Sequence, residues 1–529
     1  MKKFRLRADF GKSGVTKENI RAWLERELRY YVYGKPYKDR YNLSQYYDGM
    51  LPLTNTRSNK AKFITDISTD YFIGDEPLFV LRKNEDNDLS RKEKKERNEA
   101  IKRLQAYNRK LKGRSFGRTL YTASKWASKV GVGYILQYQK AGEDFPRYKE
   151  LSPLQTFVVY DNQVDPESLF AIYFNKIVET QNGKNFSRFL VTAYTDTDVY
   201  YFKTGRVFTR DNVQYYSIID DSTKDDTTHN FGAVPITQVF NNEDMLGDYE
   251  PVTDLIDIYC LLQSKRFNNI SEVVDAILHI KNIDSGDDEE RQKLIDLIKR
   301  EKILMSNSDG GKEVDAEFLT NPLNQREIQT FSENIEKDIY QISQVPNMTS
   351  DTFAQSVSGQ SLKFKLMGLE SITKEKERNF NRALYRILKL TANFFNSVGN
   401  KDFEFDPYDV DIEYKRSLPS NDLELMNMLP IVATTGCVDP IDIVSKLSFV
   451  EDPQKSMENG MKYIQELAKT KAISVTGRTN EEQKDEEKEE KKEKEENVEP
   501  ISDTDPTNDK KDDNPINAMA SSVKNVDNN

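Results

Sequence analysis

The spacing of apolar residues changes from a helical period to a period of two between Gly133 and Phe240, and this change constrains the fold most. The segment consists of short β-branched and aromatic runs separated by polar turns: GYILQYQ, TFVVY, LFAIYFNKIV, RFLVTAYT, DVYYFKT and VPITQVF. Such runs at regular intervals are typical of antiparallel strands. Because helical spacing lies on both sides of the segment, the sequence predicts an α+β fold with an antiparallel β-rich unit between helical regions.

Helical spacing on the N-terminal side predicts several helices. The first covers residues 17–30, where IRAWLEREL places its apolar residues on one stripe. Two further helical segments follow at 59–72 and 98–130, and the second of these contains one or two helices. The tyrosine-dense stretch 30–49, which lies between the first two helices, is predicted to be a loop.

Helical spacing returns after the β-rich unit. Two helices, 246–272 and 321–344, flank a small α/β insert, and the second ends before Pro346 because proline disfavours a helical conformation in the preceding residue. A longer helix at 361–396 would span about 50 Å, and the hydroxyl-rich segment TSDTFAQSVSG precedes it. Beyond it the pattern predicts one strand in DVDIEYKRSLP and a small helical module over 421–470.

The net charge of −11 is concentrated at the C-terminus. From Thr479 to Asn529 there are seventeen Asp/Glu against eight Lys/Arg, a net of −9, so the preceding chain carries only −2. No aromatic residue follows Tyr463. A tail of this composition buries too little apolar surface to offset its ordering entropy, so we expect disorder, with a single charged helix over 481–496 as the alternative. The acidic balance therefore says little against contact between the rest of the chain and nucleic acid.

The composition argues against membrane insertion and against a disulfide framework. Mean hydropathy is −0.75, and no run approaches the roughly 18 apolar residues that a spanning helix needs. The start, MKKFRLRADF, is basic but lacks the apolar core of a signal peptide. Two cysteines, Cys260 and Cys437, are too few for a framework, and we expect both to be buried thiols in a reducing compartment.

The sequence lacks the usual motifs of catalytic and metal sites: HExxH, CxxC, GxxxxGK[ST] and GxSxG. His229 lies in a polar turn and His279 in a strand, and both are interpreted as structural. The acidic clusters at 220–226 and 285–290 are better explained as solvated loops or helix N-caps than as metal sites. We therefore expect no catalytic residues, no metal and no cofactor, and predict that the protein is not an enzyme.

Five segments, in this order along the chain, resemble the portal proteins of tailed double-stranded-DNA bacteriophages, of the siphovirus type. The fourth resembles the family's S-G-x-A-L-K-x-K-x-x-x-L-E signature, with Ser361 where Ala is usual. The resemblance covers roughly 20–470 of the chain, and the segments that carry it are NKAKFITDISTDYFIGDEPLFV, GVGYILQY, HNFGAVPITQVFNNEDMLGDYEPVTDLIDIYCLLQS, SGQSLKFKLMGLE and VDIEYKRSLPSNDLELMNML.

The resemblance implies a homo-oligomeric ring, usually a dodecamer, at one capsid vertex. Double-stranded DNA would be packaged through its channel by a separate terminase motor and would later leave by the same route. The implied partners are non-specifically bound DNA, the terminase large subunit, head–tail connector or adaptor proteins, and scaffolding and major capsid proteins, without a membrane. The implied location is the virion, after assembly in the host cytoplasm.

The family's domains map onto this chain in order. They are a wing at 1–245, stem helices at 246–272 and 321–344, a small α/β clip at 273–320, a tunnel loop at 345–360, a long kinked helix with a returning wing strand at 361–417, a helical crown at 418–472 and a disordered acidic tail at 473–529.

The tunnel loop is the principal candidate site that the resemblance implies. Hydroxyl and amide side chains suit a channel through which DNA slides, because many ion pairs between basic side chains and phosphates would hold the DNA in place. An ordinary surface loop is the alternative interpretation of the same composition. The candidate residues are Thr349, Ser350, Asp351, Thr352, Gln355, Ser356, Ser358 and Gln360.

Two further groups of charged residues are candidate contacts. Lys363, Lys365 and Lys374 are candidate channel-facing bases, and Lys376 belongs with them as a lysine of the helix exterior. Solubility is the alternative role of such exterior lysines. Spacing defines only the packed side of that helix, through its leucines. Docking of terminase and connectors is assigned to the clip, through Asp287, Glu289, Glu290, Lys293, Lys299 and Arg300.

Two other functions stay open at this point. One is a carboxylate–metal nuclease or phosphohydrolase, which would show Mg²⁺-dependent turnover lost on mutation of a specific Asp pair. The other is a minor capsid or adaptor protein, which would assemble without a channel wide enough for a duplex.

Overall fold

The structure is a computed structural model of the full chain, which consists of two compact units, Met1–Pro419 and Ser420–Asn529. The residues that it describes are 6–11, 14–49, 58–82, 91–181, 184–210, 213–274, 277–280, 316–319, 325–348, 359–403, 405–416 and 453–476, with the single positions 287, 289, 292, 293, 296, 300, 444 and 450.

Mixed helix and sheet make up the described chain. The α-helices in chain order are α1 (Lys17–Tyr33), α2 (Lys35–Tyr47), α3 (Lys60–Ile73), α4 (Arg91–Gly113), α5 (Phe116–Val130), α6 (Thr253–Val274), α7 (Gln325–Ser343), α8 (Gly359–Lys365), α9 (Met367–Val398) and α10 (Pro453–Thr476).

The strands follow the predicted β-rich unit and extend beyond it. They are β1 (Leu6–Arg7), β2 (Leu78–Leu81), β3 (Val132–Tyr138), β4 (Arg147–Leu151), β5 (Thr156–Tyr160), β6 (Ser168–Gln181), β7 (Lys184–Tyr194), β8 (Asp198–Arg210), β9 (Val213–Asp220), β10 (Thr227–Thr228), β11 (Ile236–Phe240), β12 (Ile277–Ile280), β13 (Ala316–Leu319) and β14 (Val410–Glu413).

A seven-stranded sheet forms the larger part of the β-rich unit. Its order is β1-β5-β6-β7-β8-β10, and β9 pairs with β8. The pairs from β5 to β10 are antiparallel as predicted, but β1 runs parallel to β5. The short N-terminal strand reaches the sheet through a long connection, and period-two spacing inside the unit could not indicate it.

Three smaller sheets complete the strand pairing among the residues that the structure describes. One contains β11, β3 and β4, and the second pairs β12 with β13, inside the predicted α/β insert. The third pairs β14 with β2, in a register that sets Val410 opposite Leu81. The strand predicted in DVDIEYKRSLP therefore returns to a partner more than three hundred residues earlier in the chain.

Helix α1 covers one face of the large sheet. Its predicted stripe is buried, with Ile20, Leu24 and Leu28 at 0% exposure. Trp23 lies edge-on to Phe170 of β6, with the ring centroids 5.3 Å apart. Aromatic contacts of this geometry add to the stabilisation from burial.

The prediction of a loop at 30–49 was wrong, because Lys35–Tyr47 is helical. Pro36 lies in the first turn, where proline needs no hydrogen bond from its missing N–H. Leu43 and Tyr47 are buried, while Tyr41 stays 43% exposed. Tertiary packing of one face therefore overrides the weak helical preference of tyrosine.

The long helix predicted at 361–396 forms two helices, α8 and α9, which meet at Leu366. Leu366 N donates to Leu362 O at 3.0 Å and Glu370 N donates to Leu366 O at 2.9 Å, so hydrogen bonding continues through the junction. Helix α9 packs against β11 and α3. Phe380, Leu384, Ile387, Leu388 and Phe394 belong to one core cluster with residues of α4, α5 and β3.

Candidate functional site

A tight loop carries the chain from β11 into α6, and two asparagines hold it. Asn241 donates from Nδ2 to Leu246 O at 2.9 Å and to Asp248 Oδ1 at 2.7 Å. Asn242 Oδ1 accepts from Leu246 N at 2.9 Å. These hydrogen bonds fix the position of the Asp248 carboxylate. The paired asparagines of the third resembling segment therefore have a structural role in this chain.

Glycines of the GVGY segment allow the same loop to approach β3. Gly131 has φ of +87°, and a Cβ there would lie 1.7 Å from Met245 O. A Cβ on Gly133 would lie 2.2 Å from Ala123 O. Both contacts involve backbone atoms that cannot move aside, so any side chain at these positions would displace the loop or helix α5.

Lys376 lies inside the molecule, at the centre of a polar cluster that the loop helps to form. Its Nζ donates to Asp248 Oδ2 at 2.6 Å, to Ser68 Oγ at 2.7 Å and to Ser128 Oγ at 2.9 Å. The side chains of Lys376 and Asp248 are 3% and 6% exposed. We call these four residues the Lys376 cluster. It joins α9 to α3, to α5 and to the loop before α6.

The placement of Lys376 on the helix exterior was therefore wrong. Burial lowers the pKa of Lys376, and the Asp248 carboxylate opposes that effect. An ammonium group has three N–H donors, and three oxygens accept from this one. A buried charge with every donor satisfied holds its neighbours in one geometry, because a lost partner would leave an uncompensated charge.

A second ion-pair cluster lies near the start of α9. Arg416 donates from Nε and Nη2 to Glu370, both at 3.0 Å, and from Nη1 to Glu377 at 2.5 Å. Tyr71 OH also donates to Glu370, at 2.9 Å. Burial alone would raise the pKa of Glu370, but the hydrogen bonds from Arg416 and Tyr71 lower it. This cluster ties the chain after β14 to α3 and α9.

Helix α7 is tied to the same framework. Lys60 Nζ on α3 donates to Glu336 Oε1 at 2.5 Å and to Tyr340 OH at 3.2 Å. Gln263 Nε2 on α6 donates to Ser332 Oγ at 2.8 Å. The two helices that flank the insert are thus held to each other and to α3 by partly buried polar contacts.

The candidate bases of the long helix are on its surface. Lys363, Lys365 and Lys374 are all exposed, and Lys374 Nζ lies 4.0 Å from Glu370 Oε1. The leucines define the packed side as predicted, since Leu366 and Leu369 are 4% and 0% exposed. Between the bases lie two exposed apolar side chains, those of Phe364 and Met367.

The predicted tunnel-loop residues lie mostly outside the described part of the chain. Gln360 falls in the first turn of α8. The remaining seven are outside the described residues: Thr349, Ser350, Asp351, Thr352, Gln355, Ser356 and Ser358.

The predicted clip residues are partly described. The four described positions, Asp287, Glu289, Lys293 and Arg300, are all exposed. Glu290 and Lys299 lie outside the described residues. Strands β12 and β13 pair nearby in the chain, with His279 opposite Glu317.

Among the described residues, His229 and Cys260 are hydrogen-bonded to backbone atoms. His229 accepts at Nδ1 from Phe231 N at 3.4 Å, and its Nε2 lies 3.1 Å from Thr195 O. Burial lowers its pKa. Cys260 is buried, and its Sγ lies 3.7 Å from Ser58 O. Cys437 lies outside the described residues.

Within the described ranges, no three His, Cys, Asp or Glu side chains come together in a way that could hold a metal ion. The helices of the same ranges include none that is long and apolar enough to cross a membrane.

A signal in the sequence could have located Lys376. Leu369, Thr373, Lys376 and Phe380 follow helical spacing on one face, and all four are buried. A lysine in such a stripe predicts a buried partner, although the stripe cannot identify Asp248, which is 128 residues away.

Comparisons with known proteins agree on one family. The family model described as "Phage portal protein, SPP1 Gp6-like" matches residues 27–499. The portal protein of Bacillus phage SPP1 is 25% identical over 417 residues, which is 76% of this chain and 75% of that protein. The portal protein of Clostridium phage phiCD119 is 26% identical over 199 residues, which is 37% of this chain and 41% of that protein.

Among solved structures, this chain is similar to a chain from the neck of an empty GTA particle computed with C6 symmetry. The TM-score is 0.43 at 11% identity, and the match covers 78% of this chain and 94% of that chain.

Proposed function

This chain belongs to the SPP1 Gp6-like family of phage portal proteins, and from that premise we propose that it forms the ring through which double-stranded DNA enters and leaves the capsid. The family match over residues 27–499 carries the proposal. The relative from phage SPP1 adds support, because its match spans three quarters of both chains. The chain acts as a conduit and does not itself hydrolyse a nucleotide.

The domain assignment follows the order of the elements. Helices α6 and α7 are the stem, the β12–β13 region is the clip, and residues 1–245 with β14 form the wing. The tunnel loop at 345–360 precedes the long helix, and residues 418–472 form the crown. Support comes from the polar contacts that tie α7 and α9 to α3 and α6 to α7, because a ring that passes DNA needs subunits of fixed shape.

The tunnel loop and the bases of the long helix are the proposed DNA contacts. Lys363, Lys365 and Lys374 are exposed, so each copy in a ring can present them to DNA. Exposed lysines attract phosphates through a sequence-independent electrostatic interaction. Weak contact lets the duplex slide, while hydroxyl and amide side chains of the loop add little further resistance.

The clip is the proposed docking site for the terminase large subunit and, after packaging, for connector proteins. Exposed charges of both signs at Asp287, Glu289, Lys293 and Arg300 support this. Complementary charges steer association and set partner choice more than they set affinity. Scaffolding and major capsid proteins complete the proposed partners, and the assembled ring resides in the virion after assembly in the host cytoplasm.

Mass and shape in solution test the ring. The purified full-length chain is measured by size-exclusion chromatography with light scattering and by negative-stain electron microscopy, alone and with its scaffolding protein. We expect dodecameric rings with a central hole wide enough for a duplex. A species without such a hole under both conditions would contradict the conduit and favour an adaptor role.

A further inference from the structure

Helix α4 carries the densest positive charge of any described helix. Its 23 residues, Arg91–Gly113, contain ten Lys/Arg and three Glu, a net of +7. The chain as a whole has a net charge of −11. This concentration of charge has no part in the proposed channel, clip or stem.

The charges of α4 are sorted by face. Residues 95, 98, 102, 105, 109 and 112 recur at helical spacing and are all exposed. We call them the α4 stripe: Lys95, Asn98, Lys102, Gln105, Arg109 and Lys112. It contains only basic and amide side chains. Glu96 and Glu99 lie on the flanking face, together with Lys92, Arg103 and Lys110, and Lys92 Nζ is 3.8 Å from Glu96 Oε1.

The basic side chains at the centre of the stripe are not neutralised locally. No acidic group among the described residues forms an ion pair with Lys95, Lys102 or Arg109. Glu99 lies at i+4 from Lys95, on the flanking face, but it forms no ion pair with Lys95 or Lys102. The stripe itself contains no acid, so it keeps a net positive potential that favours a polyanion.

The opposite face of α4 is anchored, so the charges are held on a rigid support. Leu104, Tyr107 and Leu111 are 3%, 0% and 2% exposed. Asn108 Nδ2 donates to Phe79 O of β2 at 2.8 Å. The stripe spans about 25 Å, and its three central bases recur about every 10 Å. A stripe of this length covers about seven base pairs of a duplex, so its bases can contact several phosphates of the same duplex.

We propose that the α4 stripe binds the phosphate backbone of duplex DNA, as a contact separate from the tunnel loop and the long helix. A protein partner fits less well, because protein interfaces depend on aromatic and aliphatic anchors. None of the large apolar residues exposed on the described surface lies in α4. DNA interfaces are polar and strongly positive, as this stripe is.

The test measures duplex binding by the full-length protein as a function of salt. The probe is a fluorescein-labelled 30-base-pair duplex of random sequence, followed by fluorescence anisotropy. The stripe variant is Lys95→Gln/Lys102→Gln/Arg109→Gln. The matched control, Lys92→Gln/Arg103→Gln/Lys110→Gln, removes the same charge from the flanking face of the same helix. Circular dichroism checks that both variants fold.

We expect the stripe variant to bind the duplex more than ~10-fold more weakly at low salt, and the slope of log K against log salt to fall by about 2.7 for three lost phosphate contacts. We expect the control to change affinity less than about threefold. Equal losses of duplex affinity in both variants would mean that net charge alone is responsible for binding. Unchanged affinity in the stripe variant would show that the stripe does not contact DNA. Either result overturns the proposal.

Two further measurements separate the alternatives. A Lys363→Gln/Lys365→Gln/Lys374→Gln variant removes the proposed channel bases. If it alone abolished duplex binding while the stripe variant bound normally, the stripe contact would be wrong and the conduit would stand. If the stripe variant kept duplex binding but lost binding of poly-L-glutamate, the partner would be an acidic protein, and the DNA contact would again be wrong.

Discussion

Lys376 Nζ on the long helix lies 2.6 Å from Asp248 Oδ2 in the loop before α6, and both side chains are almost fully buried. The pair connects residues that are 128 positions apart. It links the helix that follows the proposed tunnel loop to the proposed stem. A buried pair of this kind contributes little net stability compared with apolar residues, but removing one partner is costly.

Replacing Lys376 with Met should destabilise the protein by about 3–5 kcal/mol, because Asp248 would be left buried without a partner. The measurement is urea unfolding followed by circular dichroism. Lys374→Met is the matched control, since Lys374 lies on the same helix with its side chain 65% exposed, and it should change stability by less than about 0.5 kcal/mol. The double variant Lys376→Met/Asp248→Asn should recover part of the lost stability. Equal losses of stability in Lys376→Met and Lys374→Met would contradict the role of the pair.

Gly131→Ala should cost more than ~3 kcal/mol or prevent soluble expression, because strained backbone and an atomic overlap add. The new Cβ would lie 1.7 Å from Met245 O at φ of +87°. Gly142 is the control, because it has a similar φ of +81° and no atom within 4 Å of the added Cβ. Gly142→Ala should cost only about 1 kcal/mol. Thermal melts of both variants measure the difference in stability. Similar melting points for Gly131→Ala and Gly142→Ala would contradict the prediction, because they would show that the loop between β11 and α6 can move away from the added Cβ.

The Glu370–Arg416 pair predicts that folding stability depends on pH in the acidic range. The pKa of Glu370 is lowered in the folded protein from its ordinary 4.5. The ionised Glu370 carboxylate therefore adds to the free energy of unfolding in full above pH 4.5, and this stabilisation is lost as pH falls below that value. Wild type should therefore be more stable than Glu370→Gln at pH 7, and the gap should narrow from pH 4.5 downward. Urea midpoints at pH 7, 5, 4 and 3.5 measure it. A stability gap of constant size from pH 7 to pH 3.5 would contradict this role of the pair.

Adding negative charge to the tunnel loop should hinder DNA passage without preventing ring formation. Gln355→Asp/Ser356→Asp places two carboxylates in every subunit, which repel the phosphates of a passing duplex. Packaging of nuclease-protected DNA with terminase measures the effect, and electron microscopy checks the rings. Gln355→Asn/Ser356→Thr is the neutral control. Normal packaging by the Asp variant would exclude these residues from the channel.

Deleting 479–529 should leave assembly intact. The segment has seventeen Asp/Glu, eight Lys/Arg and no aromatic residue, so it offers little packing surface. Light scattering of the truncated chain should give a ring with the same number of subunits as the ring of the full chain. Loss of rings on truncation would instead assign the tail a role in assembly.

Much of the element order could be predicted from local spacing. The stripe of α1, the β-rich unit and the end of α7 before Val345 and Pro346 follow from period and proline chemistry, because these are properties of neighbouring residues. The order of five motifs predicted the portal family, and the family match over 27–499 confirmed it. The parallel pairing of β1 and the helical state of α2 were missed, because distant partners decide both.

Lys374 and Lys376 show the limit of that reasoning. Both are lysines, two positions apart in one amphipathic helix, and the sequence alone placed both on its surface. In the fold, Lys374 is exposed and Lys376 is buried. Sequence determines which residues can form a helix and where a lysine falls on its face. Only tertiary structure decided that Ser68, Ser128 and Asp248 converge on one of them, because their positions depend on how α3, α5 and the loop before α6 pack against α9.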